Sequence, residues 1–311
     1  MKDNKRVIAA LDRVIELDPK NASAYYSRGI IKVEIGDYKG AIADFNKAIE
    51  LDPNHALAYC GRGMAKSQMD DYTGAIADLD RAIKVDPKSA ISYGSRGVNK
   101  SVIGDYKGAI VDLSRAIELE PRDVKSYCSR GIAKVQIGDY KGAITDFNRV
   151  IEVDLKNTTA YSSRGIAKVQ IGDYREALAD LNKAIELGSN ISDDYLYRGI
   201  SKSEIGDRKG ALADLNKAIQ LDPKDAVAYD NRALVKFDIE DYEGAIADLD
   251  KAIQLDPNQA VFYCARGIAK NAMEDYKEAL TDWDKAIELD PENVDCYREL
   301  IKGAKESLAH L

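Results

Sequence analysis

Histidine is almost missing from this chain, which has only His55 and His310 among its 311 residues. Because histidine is the most frequent general acid or base in enzymes, no histidine-based catalytic set can be assembled. The sequence also lacks a phosphate-binding glycine loop, a zinc-protease helix motif and a nucleophile elbow. Its many carboxylates recur at a regular interval, and no pair of them stands apart. We therefore predict that the protein is not an enzyme and binds neither a metal nor a cofactor.

Cysteine is also scarce, and its spacing fits neither a metal site nor a disulfide framework. No two of Cys60, Cys128, Cys264 and Cys296 form a CxxC pair, and none clusters with histidine. Cys264 and Cys296 lie 32 residues apart, and nothing in the sequence around them suggests a bond. We expect the cysteines to be small, reduced and half-buried residues.

Long apolar runs and an excess of positive charge are absent as well. No apolar run approaches the roughly 20 residues that cross a bilayer, and the N-terminus lacks the apolar core of a secretory signal. The formal net charge is -8, and acidic and basic residues alternate, so no concentrated basic surface is available for phosphates. We predict a cytoplasmic protein that contacts neither membranes nor nucleic acids, unless a targeting segment precedes it.

What the sequence does contain is one repeated stretch. Residues 27–53 read SRGIIKVEIGDYKGAIADFNKAIELDP, and the pattern returns every 34 residues until 265–291. The full units are residues 22–55, 56–89, 90–123, 124–157, 158–191, 192–225, 226–259 and 260–293. Residues 3–17 match only the second half of a unit, and residues 294–311 match only the first half. We predict one array over 1–311, which starts with a lone second helix and ends with a capping helix.

Each unit carries two apolar stripes at helical spacing. In the first unit, Tyr26, Ile30 and Val33 form one stripe, and Ala41 and Phe45 belong to the other. The break between the stripes and the proline after the second one indicate two antiparallel helices.

Helix caps should lie at the Gly-Asp break, where the aspartate can accept from free N–H groups. In two units a glutamate follows three residues later, at Asp173 and Glu176 and at Asp275 and Glu278, which predicts a capping box. Most other units have glycine at the glutamate position, as at Gly40. Helix propensity offers no reason for that glycine, which should cost about 1 kcal/mol in each helix.

Together these features resemble the tetratricopeptide repeat family. The features are the 34-residue period, the aromatic residue early in the first helix, the small residue four positions later, Gly-Asp-Tyr at the turn and Asp-Pro at the end. The resemblance covers essentially the whole chain. It implies an all-α fold, a right-handed α-solenoid superhelix of antiparallel helix pairs, with the first helices lining a concave groove.

The chain departs from that family in its charges. Where leucine and a second aromatic are usual, the first helices carry arginine and lysine, as at Arg28 and Lys32, and each second helix carries an aspartate, as at Asp44. Equal numbers in a fixed register predict a ladder of Arg–Asp pairs along the array. The alternative is a basic track for an anionic ligand, which the aspartates would neutralise.

The resemblance places the binding surface on the stripe of Tyr26, Ile30 and Val33 and their equivalents. The candidate groove residues are Tyr26, Ile30, Val33, Cys60, Met64, Val98, Cys128, Ile132, Val135, Ser162, Ile166, Val169, Leu196, Ile200, Asp230, Leu234, Phe237, Cys264 and Ile268. The alternative is that the aliphatic members only pack first helices against one another.

These features favour a non-catalytic scaffold that binds a peptide segment or a partner protein in the groove. One alternative is a regulatory or targeting region of a larger multidomain protein. Another is an assembly module that self-associates through its terminal half repeats. The C-terminal tails of Hsp70 or Hsp90 are improbable partners, because the positions where chaperone-binding relatives carry lysine and asparagine are here aliphatic, small or acidic.

The least regular junction is 188–194, where Gly188 and Ser189 replace Asp-Pro. The junction before it also loses its proline, to Leu155. Two interpretations remain open for 188–194, namely drift in a tolerant loop and a hinge.

Overall fold

A computed structural model of the protein describes residues 2–309, and within that range all regular structure is helical. The helices are α1 Lys2–Leu17, α2 Ala22–Glu34, α3 Tyr38–Leu51, α4 Ala56–Ser67, α5 Tyr72–Val85, α6 Ala90–Val102, α7 Tyr106–Leu119, α8 Val124–Gln136, α9 Tyr140–Val153, α10 Thr158–Gln170, α11 Tyr174–Glu186, α12 Ser192–Glu204, α13 Arg208–Leu221, α14 Ala226–Asp238, α15 Tyr242–Leu255, α16 Ala260–Ala272, α17 Tyr276–Leu289 and α18 Val294–Ala309. A short 3-10 helix, Pro291–Asn293, precedes α18.

The helices form two compact units, Met1–Leu155 and Lys156–Leu311. In the first unit, α2 to α9 make four helix pairs, and α1 packs against α2. In the second unit, α10 to α17 make four more pairs, and α18 packs against α17. Within each unit, the first helices of successive pairs also touch. The predicted all-α solenoid of helix pairs is confirmed. The boundary falls at Leu155 and not at the 188–194 junction, for which loop drift and a hinge are still the two interpretations.

In seven of the eight pairs the core depends on a glycine in the first helix that faces a large side chain of the second, and in α14 the buried Ala233 takes that position. A Cβ atom on Gly97 would lie 2.7 Å from Leu113 Cγ and 3.1 Å from the Ala109 carbonyl oxygen, so the helices could not approach as closely with alanine there. The large residues are fully buried or nearly so, and they are Phe45, Leu79, Leu113, Phe147, Leu181, Leu215, Leu249 and Trp283.

Glycine at the start of the second helices makes room for the cap. The Asp37 carboxylate accepts from the Gly40 backbone N–H at 2.9 Å, and a Cβ atom on Gly40 would overlap that carboxylate. The same arrangement recurs at Gly74, Gly108, Gly142, Gly210 and Gly244. The propensity lost to glycine is therefore offset by the cap bond.

The two predicted capping boxes are wrong. Neither Asp173 nor Asp275 makes a side-chain cap bond. Their helices carry glutamate at the glycine position, so a Cβ atom occupies the space that the aspartate carboxylate fills elsewhere. Glu176 instead approaches Lys168 Nζ at 3.1 Å.

The last helix does not bury the same face as the other first helices. Cys296 is exposed, although the equivalent alanines Ala24 and Ala58 are buried, and Tyr297 and Ala304 are buried instead. Helix α18 therefore caps α17 with the face that carries Tyr297 and Ala304. His310 and Leu311, within the predicted capping segment 294–311, lie outside the described residues.

The predicted Arg–Asp ladder is confirmed in every pair. In the fourth pair, Arg130 Nε and Nη2 donate to the two Asp146 carboxylate oxygens at 2.9 and 2.6 Å. Lys134 Nζ lies 2.8 Å from the same carboxylate, which is only 2% exposed. The equivalent pairs are Arg28–Asp44, Arg62–Asp78, Arg96–Asp112, Arg164–Asp180, Arg198–Asp214, Arg232–Asp248 and Arg266–Asp282.

The same arginines also reach the second helix of the preceding pair. Arg130 Nη1 donates to Ser114 Oγ at 3.0 Å, and its guanidinium lies 5.6 Å from the centre of the Tyr127 ring. Other Nη1 contacts are Arg28–Asp12, Arg62–Asn46, Arg96–Asp80, Arg198–Asn182, Arg232–Asn216 and Arg266–Asp250. One guanidinium therefore joins three helices.

We expect Arg130→Leu and Asp146→Leu each to cost about 3 kcal/mol of unfolding free energy, because each leaves a buried charge without its partner. The double variant should cost at least about 1 kcal/mol less than the sum of the two. Chemical denaturation measures all three. The exposed pair Arg115–Glu118, 2.8 Å apart, is the matched control, and its removal should change the unfolding free energy far less because solvent screens the pair. Single variants as stable as the parent would show that the ladder is unimportant.

A second double-mutant cycle tests the helix cap that Asp139 and Gly142 form. Asp139→Ala should cost about 1 kcal/mol while Gly142 is present, because it removes the cap bond. Gly142→Ala should be nearly neutral, since it exchanges the cap bond for about 1 kcal/mol of helix propensity. In the Gly142→Ala background, Asp139→Ala should then cost almost nothing. Additive effects in denaturation measurements would contradict this coupling.

Candidate functional site

The aliphatic column on the first helices is partly open to solvent. In the first unit, Met64, Val98 and Ile132 stand at equivalent positions of α4, α6 and α8 and are 42%, 41% and 40% exposed. Ile30 is half-buried. In the second unit, Leu234 is exposed, whereas Ile166, Ile200 and Ile268 are half-buried. Packing between first helices therefore leaves much of this column accessible.

The column that begins at Tyr26 lies deeper. Cys60, Ser162 and Leu196 are buried, and Tyr26, Cys128, Asp230 and Cys264 are half-buried. In the third column, Val33, Val135 and Phe237 are half-buried and Val169 is buried. Buried side chains of these two columns support the surface from beneath and offer little contact area to a ligand.

Each residue of the Tyr26 column meets the next first helix, 32 residues further along the chain. Ser162 Oγ donates to Asp194 Oδ1 at 2.5 Å, and Leu196 packs in one cluster with Ala228. Gly94 and Ser126 are the smallest of these pairs. A Cβ atom on Gly94 would lie 3.2 Å from Ser126 Oγ.

A cavity of about 720 Å³ opens at Gly94. Its lining comprises Met64, Ser67, Gln68, Ala90, Ile91, Gly94, Ser95, Val98, Asn99, Leu113, Glu120, Arg122, Asp123, Val124, Lys125, Ser126 and Ser129. None of the sequence patterns described above predicts this cavity. The sequence feature that marks the cavity is a pair of small residues 32 positions apart, Gly94 and Ser126. This pair can be recognised only when the structure shows that the two positions face each other.

Carboxylates give the second unit a different character. Burial raises the pKa of Asp230 to about 6, and its Oδ1 has no hydrogen-bond partner within the described part of the chain. Burial, and then the charges of Asp225, Asp194 and Asp222, raise the pKa of Asp193. Asp194 is fully buried, and its Oδ2 also lacks a partner there.

Among the residues that the structure describes, no three histidine, cysteine or acidic side chains come together as metal ligands. The four cysteines are free, and burial raises the pKa of Cys60, Cys128 and Cys264. Within 2–309, no helix is both long and apolar enough to span a bilayer.

The buried Asp230 should make stability depend on pH. Its folded-state pKa lies above its unfolded value, so the folded protein binds the proton more tightly and gains stability as the pH falls from above 6 towards 4. We expect Asp230→Asn to be more stable than the parent by about 1–2 kcal/mol at pH 7.5, and the difference to vanish near pH 4. Denaturation at both pH values measures it. The exposed Asp284→Asn is the control, and a pH-independent difference for Asp230→Asn would contradict the assignment.

The chain resembles several solved structures in fold. It matches a tetratricopeptide repeat protein from Parabacteroides merdae with a TM-score of 0.60 and 21% identity, over 80% of this chain and 98% of that one. It matches the Cut9–Hcn1 hetero-tetramer of the APC/C with a TM-score of 0.64 and 15% identity, over 95% of this chain and 58% of that one. It matches YrrB, described as a TPR protein with an unusual peptide-binding site, with a TM-score of 0.53 and 24% identity, over 60% of this chain and 95% of that one.

Sequence comparison gives the family directly. No curated protein matches the chain significantly. Family models described as tetratricopeptide repeat match residues 1–59, 45–77, 128–190 and 260–293, and one described as TPR repeat matches 233–273. Together these matches span most of the chain, and the helix pairs agree with them. The chain therefore belongs to the tetratricopeptide repeat family.

Proposed function

We propose that this protein is a non-catalytic scaffold that binds an extended peptide segment of a partner protein along its first helices. The observation that carries the proposal is the row of Met64, Val98 and Ile132, three aliphatic side chains at equivalent positions of successive helices, each at least 40% exposed. Exposed apolar side chains in register supply the contact area that peptide recognition needs.

The spacing of the row favours one peptide conformation. Packed helices lie roughly 8–10 Å apart. A polyproline II segment advances about 9 Å in three residues, and every third side chain points the same way. A β-strand places side chains on one face about 6.6 Å apart, which does not match. The proposed ligand therefore has apolar residues at every third position.

The charged residues of the first helices are already paired, which favours an uncharged peptide. The arginines and lysines of the first helices are held by buried aspartates, as Arg96 and Lys100 are by Asp112 at 2.5 and 2.8 Å. They are not free to form a basic track or to clamp a C-terminal carboxylate, so a Hsp70 or Hsp90 tail remains an improbable partner. The peptide-binding description of YrrB and the assembly of Cut9 with Hcn1 support a protein partner in general.

Self-association is a second candidate, favoured by one feature of α1. Val7, Val14 and Leu17 are 42%, 41% and 87% exposed on this helix. A contact between copies through α1 would cover them. A regulatory region of a larger protein would use the same groove, so the binding experiment below applies to it equally.

Selection from a random peptide library tests the proposal. Selected peptides should share apolar residues three positions apart, and Ile132→Glu should weaken their binding by at least tenfold, about 1.4 kcal/mol. Val111→Glu is the matched control, because Val111 is 68% exposed on a second helix and its change should leave the affinity unaltered. Equal losses in both variants, or a period of two in the peptides, would contradict the groove. Sedimentation of the same samples shows whether the protein self-associates.

A further inference from the structure

The cavity at Gly94 has a mixed apolar and polar lining and lies on the proposed peptide path. Met64 and Val98, two of the three exposed aliphatic residues, line it, and Ile91 and Leu113 add further apolar surface. Its volume of about 720 Å³ is within the range of ligand pockets and exceeds what one side chain needs. The cavity belongs entirely to the first unit, where α6 contacts both α4 and α8.

The cavity exists because a filling side chain is missing. At the position of Gly94, other first helices carry larger residues, such as Tyr26 in α2 and Leu196 in α12. Ser126, which faces Gly94, is too small to compensate, and its hydroxyl donates to Asp123 Oδ2 at 2.5 Å. The cavity floor therefore has no free donor from Ser126.

One wall carries an acceptor that the fold leaves unused. Asn99 is 2% exposed and lines the cavity, at the position where α4 and α8 have the fully buried Ala65 and Ala133. Its Nδ2 donates to the Ser95 carbonyl oxygen at 2.8 Å, and its Oδ1 is buried without a partner within the described residues. A buried acceptor without a donor destabilises a fold, so stability alone does not account for Asn99.

We propose that this cavity is a pocket for one aromatic side chain with a hydrogen-bond donor, a tyrosine or tryptophan, of the bound peptide. The inference rests on the proposed function. An aromatic ring fills apolar space with little loss of conformational freedom. Its O–H or N–H pairs with Asn99 Oδ1 once a small side-chain movement exposes that oxygen, which has almost no accessible surface in the unbound protein. A purely aliphatic side chain would leave that acceptor unpaired.

Charged side chains fit less well. A carboxylate has no donor for Asn99 Oδ1. A lysine or arginine side chain would have to lose part of its water against Met64, Ile91, Val98 and Leu113. The charged residues of the lining do not favour either sign, because Glu120 and Asp123 are matched by Arg122 and Lys125.

Small aromatic probes test the pocket without any peptide. We expect p-cresol, the analogue of the tyrosine side chain, and toluene both to bind the full chain, as followed by chemical-shift titration. Asn99→Ala should weaken p-cresol binding about five- to tenfold and leave toluene binding unchanged or tighter, since only p-cresol donates to the missing oxygen. The same variant should raise the denaturation midpoint, because it restores the alanine of Ala65 and Ala133.

A filling variant provides the second arm. Gly94→Leu should weaken the binding of both probes at least tenfold, and the presence of Leu196 at the equivalent position shows that this helix face accommodates leucine. Cys264→Leu, at the same position in the second unit, is the matched control and should leave both affinities unchanged. A p-cresol affinity that survives Gly94→Leu, or an equal loss of both probes in Asn99→Ala, would overturn the pocket.

Peptides separate this inference from the proposed function. Library peptides with a tyrosine or tryptophan between apolar residues should compete with p-cresol, and Gly94→Leu should weaken them at least tenfold. Peptides whose affinity falls in Ile132→Glu but is unchanged in Gly94→Leu would contradict the pocket and support the groove. If p-cresol and toluene bind as expected but no library peptide displaces them, the pocket exists and its assignment to a peptide side chain is wrong.

Discussion

The buried aspartate of each second helix is the constraint around which the array is arranged. A carboxylate that is 2–5% exposed needs cationic partners, and each aspartate has an arginine and a lysine from the first helix of its pair. The arginine also reaches the preceding second helix, so the pairing couples neighbouring repeats as well as the two helices of one repeat. Removing the aspartate leaves two cations without their partner, and removing either cation leaves the buried carboxylate with one partner fewer. The three residues therefore have to be kept together, which accounts for their presence in all eight repeats.

This network determines where a ligand can be recognised. It occupies the positive charges of the first helices, and the glycine and tyrosine positions next to it are taken up by packing within the pair. What remains are the columns that begin at Tyr26, Ile30 and Val33. The Tyr26 column mostly fills space between successive first helices, so two kinds of recognition feature are left: aliphatic side chains that reach solvent, and gaps where the filler is small. Met64, Val98 and Ile132 are of the first kind, and Gly94 is of the second.

The features that recur with the 34-residue period could be predicted from the sequence. The features that depend on the space between particular atoms could not. The helix pairs and the Arg28–Asp44 pairing follow from register, because equal spacing in sequence becomes equal spacing in a solenoid. The capping boxes at Glu176 and Glu278 were wrong because a local motif says nothing about the room the aspartate needs, which Gly40 provides elsewhere. The burial of Cys60 and the cavity at Gly94 depend on which residues face each other across two helices, and helix periodicity does not specify that.

Buried polar atoms without partners mark the places where the chain departs from its own pattern. Asn99 stands where α4 and α8 have alanine, and Asp194 stands where Ala24, Ala58 and Ala228 are found. Asn99 Oδ1 and Asp194 Oδ2 are both unsatisfied within the described residues. In a repeat array, the equivalent position of a neighbouring repeat shows which residue packs there without leaving a polar atom unpaired. Departures of this kind in a regular fold are expected at functional sites. The unsatisfied acceptors of the second unit include two acids, Asp194 and Asp230, as well as the neutral Asn271, whereas in the first unit Asn99 is neutral. The two units therefore differ in the acids that they bury.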